Sequence, residues 1–416
     1  MSRKGKLRQQ AKARRPARPK PTLGLYYRYN IETFHKIFRW AGITAGAIAL
    51  VIIAVVIVKQ FGVSPTEADY LREARKNFVL GYFDRAVLSY HQAENANQAD
   101  TRIKGETAMA RAWADTMQGG GIDRALNATL QVLATDSTLV VAHVGLAQLY
   151  SHLGNFKQTM PQAYSALKFA AAANDTPSKL AASLVLESCY RQTDQIDSAA
   201  IYAEQAVDLA NTVGDPPSFL SAESGAGFCT LRQGKLEKGK LFFEDILVKA
   251  ATGGSLYENM GKVGLADYFH RFGNYDSASF YAVAVVNALA NSGVSEVSAL
   301  ASQILGRALR DKGDLPNAIS RLDSSLASWQ SLRRQTDLID NLNDLAKAYV
   351  LQKDYFNARK YYIAAATLAV KYGLTTRDDY DDDMDARFLK SLPQEEYLRA
   401  GTEGTTLAKQ YSLWSK

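Results

Sequence analysis

Cysteine is almost missing from this sequence, with two residues in 416, and there are only ten prolines and five histidines. Two cysteines cannot build a disulfide scaffold, and so few prolines exclude a collagen-like chain. Motifs that carry chemistry are missing too. There is no His-Glu-x-x-His, no Gly-x-Ser-x-Gly, no glycine-rich phosphate loop ending in Lys-Ser/Thr and no Cys-x-x-Cys. His35, His91, His143, His152 and His270 have no ligand spacing with Cys or Glu, so each is expected at a surface or in a groove. The run Asp378, Asp379, Asp381, Asp382, Asp383 and Asp385 lacks the glycine and glutamate of a calcium loop and reads as a solvated helix start. No enzyme activity, cofactor or metal site is therefore expected. Strand signals are missing as well, with no sustained alternation and no Asn-Gly turns.

Acidic residues are scarce at one end. Residues 1–39 hold twelve Lys/Arg and one acid, Glu32, so that of 49 bases and 42 acids the remaining residues keep 37 and 41. A head of +11 thus precedes a body of −4. That balance argues against a body that binds nucleic acid through bulk charge. Residues 1–21 have nine Lys/Arg, three prolines and little to bury, and are expected to be a disordered basic tail. Residues 22–39 carry Tyr26, Tyr27, Tyr29, Phe34 and Phe38, an aromatic belt suited to a headgroup interface. Residues 40–58 are without charge and, at ~1.5 Å per residue, match the ~30 Å of a bilayer core. The lysine and arginine bias predicts an uncleaved signal anchor with its N-terminus cytoplasmic. Everything after residue 59 then lies across a bacterial inner membrane, on the periplasmic side. The tail reads as a topology signal touching anionic lipid rather than as a nucleic-acid arm. Gly42, Ala45, Gly46 and Ala49 form a small-residue face through which two such spans can self-associate.

The body repeats one phrase: a turn residue, an aromatic or aliphatic residue two later, and a small residue three after that. It occurs as Gly81-Phe83-Ala86, Gly120-Ile122-Ala125, Gly154-Phe156-Thr159, Asp194-Ile196-Ala199 and Gly234-Leu236-Gly239. It continues as Gly273-Tyr275-Ala278, Gly313-Leu315-Ala318 and Lys353-Tyr355-Ala358. Most copies are 39–40 residues apart. Apolar residues flank each phrase at i, i+3, i+4 and i+7, the stripe of an amphipathic helix. Each unit is therefore expected to be two antiparallel helices around a tight turn, about eight units in all, stacked so that neighbours bury each other's apolar faces.

The pattern resembles the tetratricopeptide repeat (TPR), best in residues 342–373 through Leu345, Ala346, Tyr349, Tyr355, Ala358, Tyr362 and Ala365. The resemblance covers residues 67–373 and implies an all-α solenoid, with 374–416 as a capping segment or tail. Most units exceed the family's usual 34 residues, and the proline expected after the second helix is largely missing. Cys189 and Cys229 fall at the same position in adjacent units. Packed helices stand ~8–10 Å apart, beyond the ~7 Å between Cα atoms that a disulfide spans, so two free, buried thiols are expected.

The family's concave groove comes from the first helix of each unit. Aligning the units puts Arg191, Arg232, His270, Arg271, Arg307, Arg310 and Lys347 on it, with fewer acids, Asp267, Asp311 and Asp340. The resemblance implies a scaffold that holds a protein or peptide partner there. Some bacterial TPR proteins of this layout assist envelope assembly or protein export. A basic stripe is expected to take an acidic segment or a C-terminal carboxylate, although the family's Lys/Asn clamp pattern is not reproduced. Reversing Arg307 and Arg310 to Glu is expected to abolish capture and leave melting nearly unchanged. The alternative is a ligand-sensing regulatory subunit of a membrane complex, for which 39 residues ahead of the span are too few to form an output domain.

Overall fold

A computed structural model of the chain describes residues 65–117, 121–332, 334–373 and 382–412. Among the described residues there are helices and no strand. The helices come in eight pairs. They are α1 (Glu67–Val79) with α2 (Phe83–Ala96), α3 (Thr101–Met117) with α4 (Ile122–Thr135), α5 (Val140–His152) with α6 (Phe156–Ala172), and α7 (Thr176–Gln192) with α8 (Ile196–Val213). Then follow α9 (Pro216–Arg232) with α10 (Leu236–Gly253), α11 (Ser255–Arg271) with α12 (Tyr275–Ala288), α13 (Glu296–Asp311) with α14 (Leu315–Ser331), and α15 (Gln335–Gln352) with α16 (Tyr355–Tyr372). Two further helices, α17 (Asp382–Ser391) and α18 (Gln394–Ser412), come after the pairs.

The recurring phrase explains the pairing. Its turn residue stands in the left-handed region in seven pairs, including Asp194 at φ 62° and Lys353 at φ 63°, where a side chain costs about 1–2 kcal/mol that glycine avoids. The small residue points at the partner helix. Ala86, Ala125, Thr159, Ala199, Ala278, Ala318 and Ala358 are fully buried, and a Cβ at Gly239 would lie 2.6 Å from Leu231. Helix starts are fixed by side-chain caps, with Asp175, Asp215, Asn274 and Ser295 each accepting from a backbone N–H three residues on. Tyr190 stacks on Tyr202, Phe269 on Tyr281 and Tyr349 on Tyr361, each with ring centroids 5.5–5.6 Å apart. The same twelve-residue separation thus binds first helix to second in alternate pairs.

Each helix packs on the next, and the first helices α5, α7, α9, α11, α13 and α15 also touch in succession. They form a continuous inner layer backed by the second helices. Between α9 and α11 the layer is keyed by Phe243 of α10, which is fully buried. A Cβ at Gly264 would lie 1.9 Å from that ring, so only glycine fits there. The array also meets itself across the inner side. Tyr82 Oη donates to Asp215 Oδ1 at 2.7 Å, and Gln335 lies against Gly154.

The last pair is covered. Phe388 of α17 is fully buried among Ala346, Ala358 and Tyr362, and α18 packs along α16. The small residues Ala400, Gly404 and Ala408 let the two helices approach, and a Cβ at Gly404 would sit 2.5 Å from the Lys360 carbonyl. Arg359 joins them by donating Nη1 to the Tyr397 carbonyl at 2.7 Å.

One histidine departs from expectation. His143 is buried, its ring nitrogens meeting Gln162 Oε1 at 2.8 Å and the Ser137 carbonyl at 2.9 Å while the ring stacks on Phe169. It is a satisfied interior residue, not a surface or groove one. The basic tail 1–21, the segment 22–39, the apolar stretch 40–58 with Gly42, Ala45, Gly46 and Ala49, and Asp378, Asp379 and Asp381 of the aspartate run lie outside the described residues. Among the described residues no helix is long and apolar enough to cross a membrane, and no cluster of three His, Cys, Asp or Glu is placed to hold a metal.

Candidate partner-binding groove

The inner layer encloses a chamber of about 520 Å³ between α7, α9, α11, α13 and the start of α15. Ten charged residues line it: Arg191, Arg232, Arg271, Arg307 and Arg334, with Glu187, Asp267, Glu296, Asp337 and Asp340. Four of the seven groove residues expected from the repeat alignment therefore line one chamber. His270, Arg310 and Lys347 are not part of it. Glu187, Glu296, Arg334 and Asp337, which the alignment left off the groove, are, and they turn a basic stripe into a balanced one.

The arginines are held by carboxylates in a consistent way. Arg191 donates from Nε to Glu187 Oε1 at 2.7 Å, and Arg271 from Nε to Asp267 Oδ2 at 3.0 Å, both one helical turn apart on a single helix. Arg307 donates from Nε to Asp344 Oδ2 at 2.6 Å across two helices. Among the described residues, neither terminal Nη of these three donates a hydrogen bond. Each guanidinium is anchored at its inner edge with its outer fork unspent. The charge of Glu187 raises the Arg191 pKa further above its ordinary value. Burial alone would raise Asp267, but Arg271, Arg307 and His270 hold it below the ordinary carboxylate value.

Arg310 has no such free edge. Nε and Nη2 bond Asp311, and Nη1 donates to Asp344 Oδ1 at 3.1 Å. Asp344 is buried and also accepts from Gln303 Nε2 at 2.9 Å, while Gln303 Oε1 accepts from Trp329 Nε1. Reversing Arg307 and Arg310 to Glu would bury Asp344 among like charges, so the geometry removes the basis for expecting unchanged melting. His270 donates Nε2–H to Asp311 at 2.8 Å, and burial brings its pKa below the usual histidine value despite that bond. Arg232 is bonded to the Asp194 carboxylate and donates Nη1 to the Arg191 carbonyl at 3.3 Å. Arg334 bridges Glu296 at 3.1 Å and Asp337 at 3.0 Å. Cys189 and Cys229 are free and buried behind the wall.

No protein-family model and no curated protein matches the sequence. Solved structures do. One is a Rap protein complexed with competence and sporulation factor, at 13% identity and TM-score 0.61, covering 83% of this chain and 97% of that one. The fold is that of the tetratricopeptide repeat. The apo form of the quorum sensor NprR from B. thuringiensis aligns at 11% identity and TM-score 0.53, covering 78% of this chain and 98% of its own. A tetratricopeptide repeat protein from Parabacteroides merdae aligns at 12% identity and TM-score 0.46, covering 69% and 98%. At such identities the likeness is one of fold. The groove chemistry must be read from the side chains of this TPR array itself.

Proposed function

We propose that this chain is a membrane-tethered TPR scaffold that holds a protein or peptide segment in its inner groove, with a carboxylate of that segment on Arg191, Arg271 and Arg307. The observation that carries the reading is the shared geometry of those three arginines, Nε anchored on a protein carboxylate and the terminal fork unspent beside a chamber of about 520 Å³. A guanidinium fixed in this way has lost its rotamer freedom before a ligand arrives. Its two terminal N–H groups match a carboxylate bidentately. The volume lies in the range that encloses a short segment. The Rap protein complexed with a factor, and the quorum sensor NprR, support the idea that an array of this fold takes a ligand. The tether is residues 40–58, and the basic head before it favours repeats on the extracytoplasmic side of a bacterial inner membrane.

The test uses the full-length chain in detergent micelles and a random library of pentapeptides with free C-termini, the retained peptides being identified by mass spectrometry. Arg271→Lys keeps the charge and a partner for Asp267 but has no fork. Losing one charge-assisted hydrogen-bond pair costs about 1.5–3 kcal/mol, so retention should fall at least tenfold with little change in melting. Retention of no peptide by the wild type, or undiminished retention by the variant, would overturn the groove reading.

A further inference from the structure

Beside the charged chamber lies a second, of about 370 Å³, reached between the α1–α2 turn, the end of α5, the face of α7 and the start of α9. Its lining has no carboxylate. The lining mixes apolar side chains such as Leu80, Phe156 and Leu184 with hydroxyls, amides and His152. Its single permanent charge, Arg334, is already met by Glu296 and Asp337. The two chambers are adjacent, because Leu184, Ser188, Ser221 and Arg334 line both. Gln148 and Gln335 also line the second chamber, but their Oε1 atoms are buried within the protein, that of Gln335 against Gly154.

We propose that the second chamber reads a residue close to the bound carboxylate and admits only an uncharged side chain. The ligand class is then a segment that presents a neutral residue and a carboxylate within a few positions of each other. This rests on the groove reading above and adds a rule of selection to it. A cationic side chain entering the second chamber would leave water and find no carboxylate, and an anionic one would find only His152 and Arg334, the latter already met by Glu296 and Asp337. A neutral one buries apolar area on Leu80 and Leu184, which are only partly covered by the protein. Discrimination thus comes from exclusion in one chamber and attraction in the other.

The same pentapeptide library on the full-length chain decides the matter. Peptides retained by the wild type should be depleted at least tenfold in Lys, Arg, Asp and Glu at one position near the carboxylate. Ser221 is exposed and lines both chambers, so Ser221→Glu adds a negative charge at the junction without opening the core. Gln335→Glu adds one at the start of α15 with nearly the same shape. Either variant should turn the depletion of Lys and Arg at that position into enrichment. Comparing free with amidated C-termini, and Asp or Glu with Asn or Gln, tells a main-chain carboxylate from a side-chain one. Either source upholds the inference if the neutral position is kept. Retention with no charge-depleted position, or depletion unaltered in both folded variants, would end the inference while leaving the groove reading intact. Retention of nothing by the wild type would end both.

Discussion

Asp344→Asn tests whether buried carboxylates hold the groove arginines in place. Asp344 is 6% exposed and accepts from Arg307 Nε at 2.6 Å, Gln303 Nε2 at 2.9 Å and Arg310 Nη1 at 3.1 Å. Burial alone would raise its pKa, yet the two guanidiniums and Gln303 bring it below the ordinary carboxylate value. Pairing therefore outweighs desolvation. Asparagine keeps the shape and removes the charge, leaving Arg307 and Arg310, with side chains only 19% and 11% exposed, short of a counter-charge. Removing one member of a buried pair costs about 3–5 kcal/mol. Asp311 still grips Arg310 at 2.7 Å, so the expected loss is near the lower bound, about 3 kcal/mol. The pH dependence has a definite sign. A carboxyl whose native pKa is depressed adds stability that is present above the ordinary value, 3.8, and lost as pH falls through the lower native one. The wild type should lose that increment in acid, and the variant has none to lose. Urea unfolding of the full-length chain followed by circular dichroism, at pH 7 and near pH 3, measures both. A loss under about 0.5 kcal/mol at pH 7, the range of ordinary surface substitutions, would refute the anchoring role.

Three further outcomes follow from particular residues. Glu223 is 6% exposed, and burial, reinforced by Asp245 and opposed by Lys249, pushes its pKa up to about 7. A raised carboxyl costs stability as pH rises from the unfolded value through 7, so Glu223→Gln should flatten that slope and stabilise the chain by up to about 3 kcal/mol above pH 7; an unchanged pH profile would contradict this. Burial raises the thiols of Cys189 and Cys229 to about 12, so both should resist thiol reagents at pH 8 until the array unfolds, and labelling at the rate of an exposed thiol would be contrary evidence. For the proposed tether, an engineered cysteine near residue 380 should label in intact bacterial spheroplasts without permeabilisation, and its protection would reverse the topology.

The repeat was legible because its determinants are local. A turn residue at positive φ and a buried small residue five later recur in sequence, and even Asp194 and Lys353 are marked by their place in the phrase. Part of the site was legible for the same reason. The alignment marked Asp267 and Arg271, which are four apart and pair on one helix, but it missed Glu187, four before Arg191. Asp344 with Arg307 was not legible, because 37 positions separate them and the contact depends on how one pair sits on the next. The second chamber was still further out of reach. It needs the α1–α2 turn beside α9 and Gln335 beside Gly154, contacts set by a small rotation accumulated over several units. Histidine spacing said nothing of His143, whose burial follows from having Gln162 and the Ser137 carbonyl within reach.

Amide hydrogen exchange on the full-length chain, with and without a peptide selected from the library, maps the ligand onto the fold most directly. Binding in the groove should slow exchange in the first helices α7, α9, α11 and α13, where Arg191, Arg271 and Arg307 are anchored, and leave the second helices α8, α10, α12 and α14 unchanged. Protection confined to those second helices, or to α17 and α18 at the end of the array, would contradict a ligand held by the inner arginines.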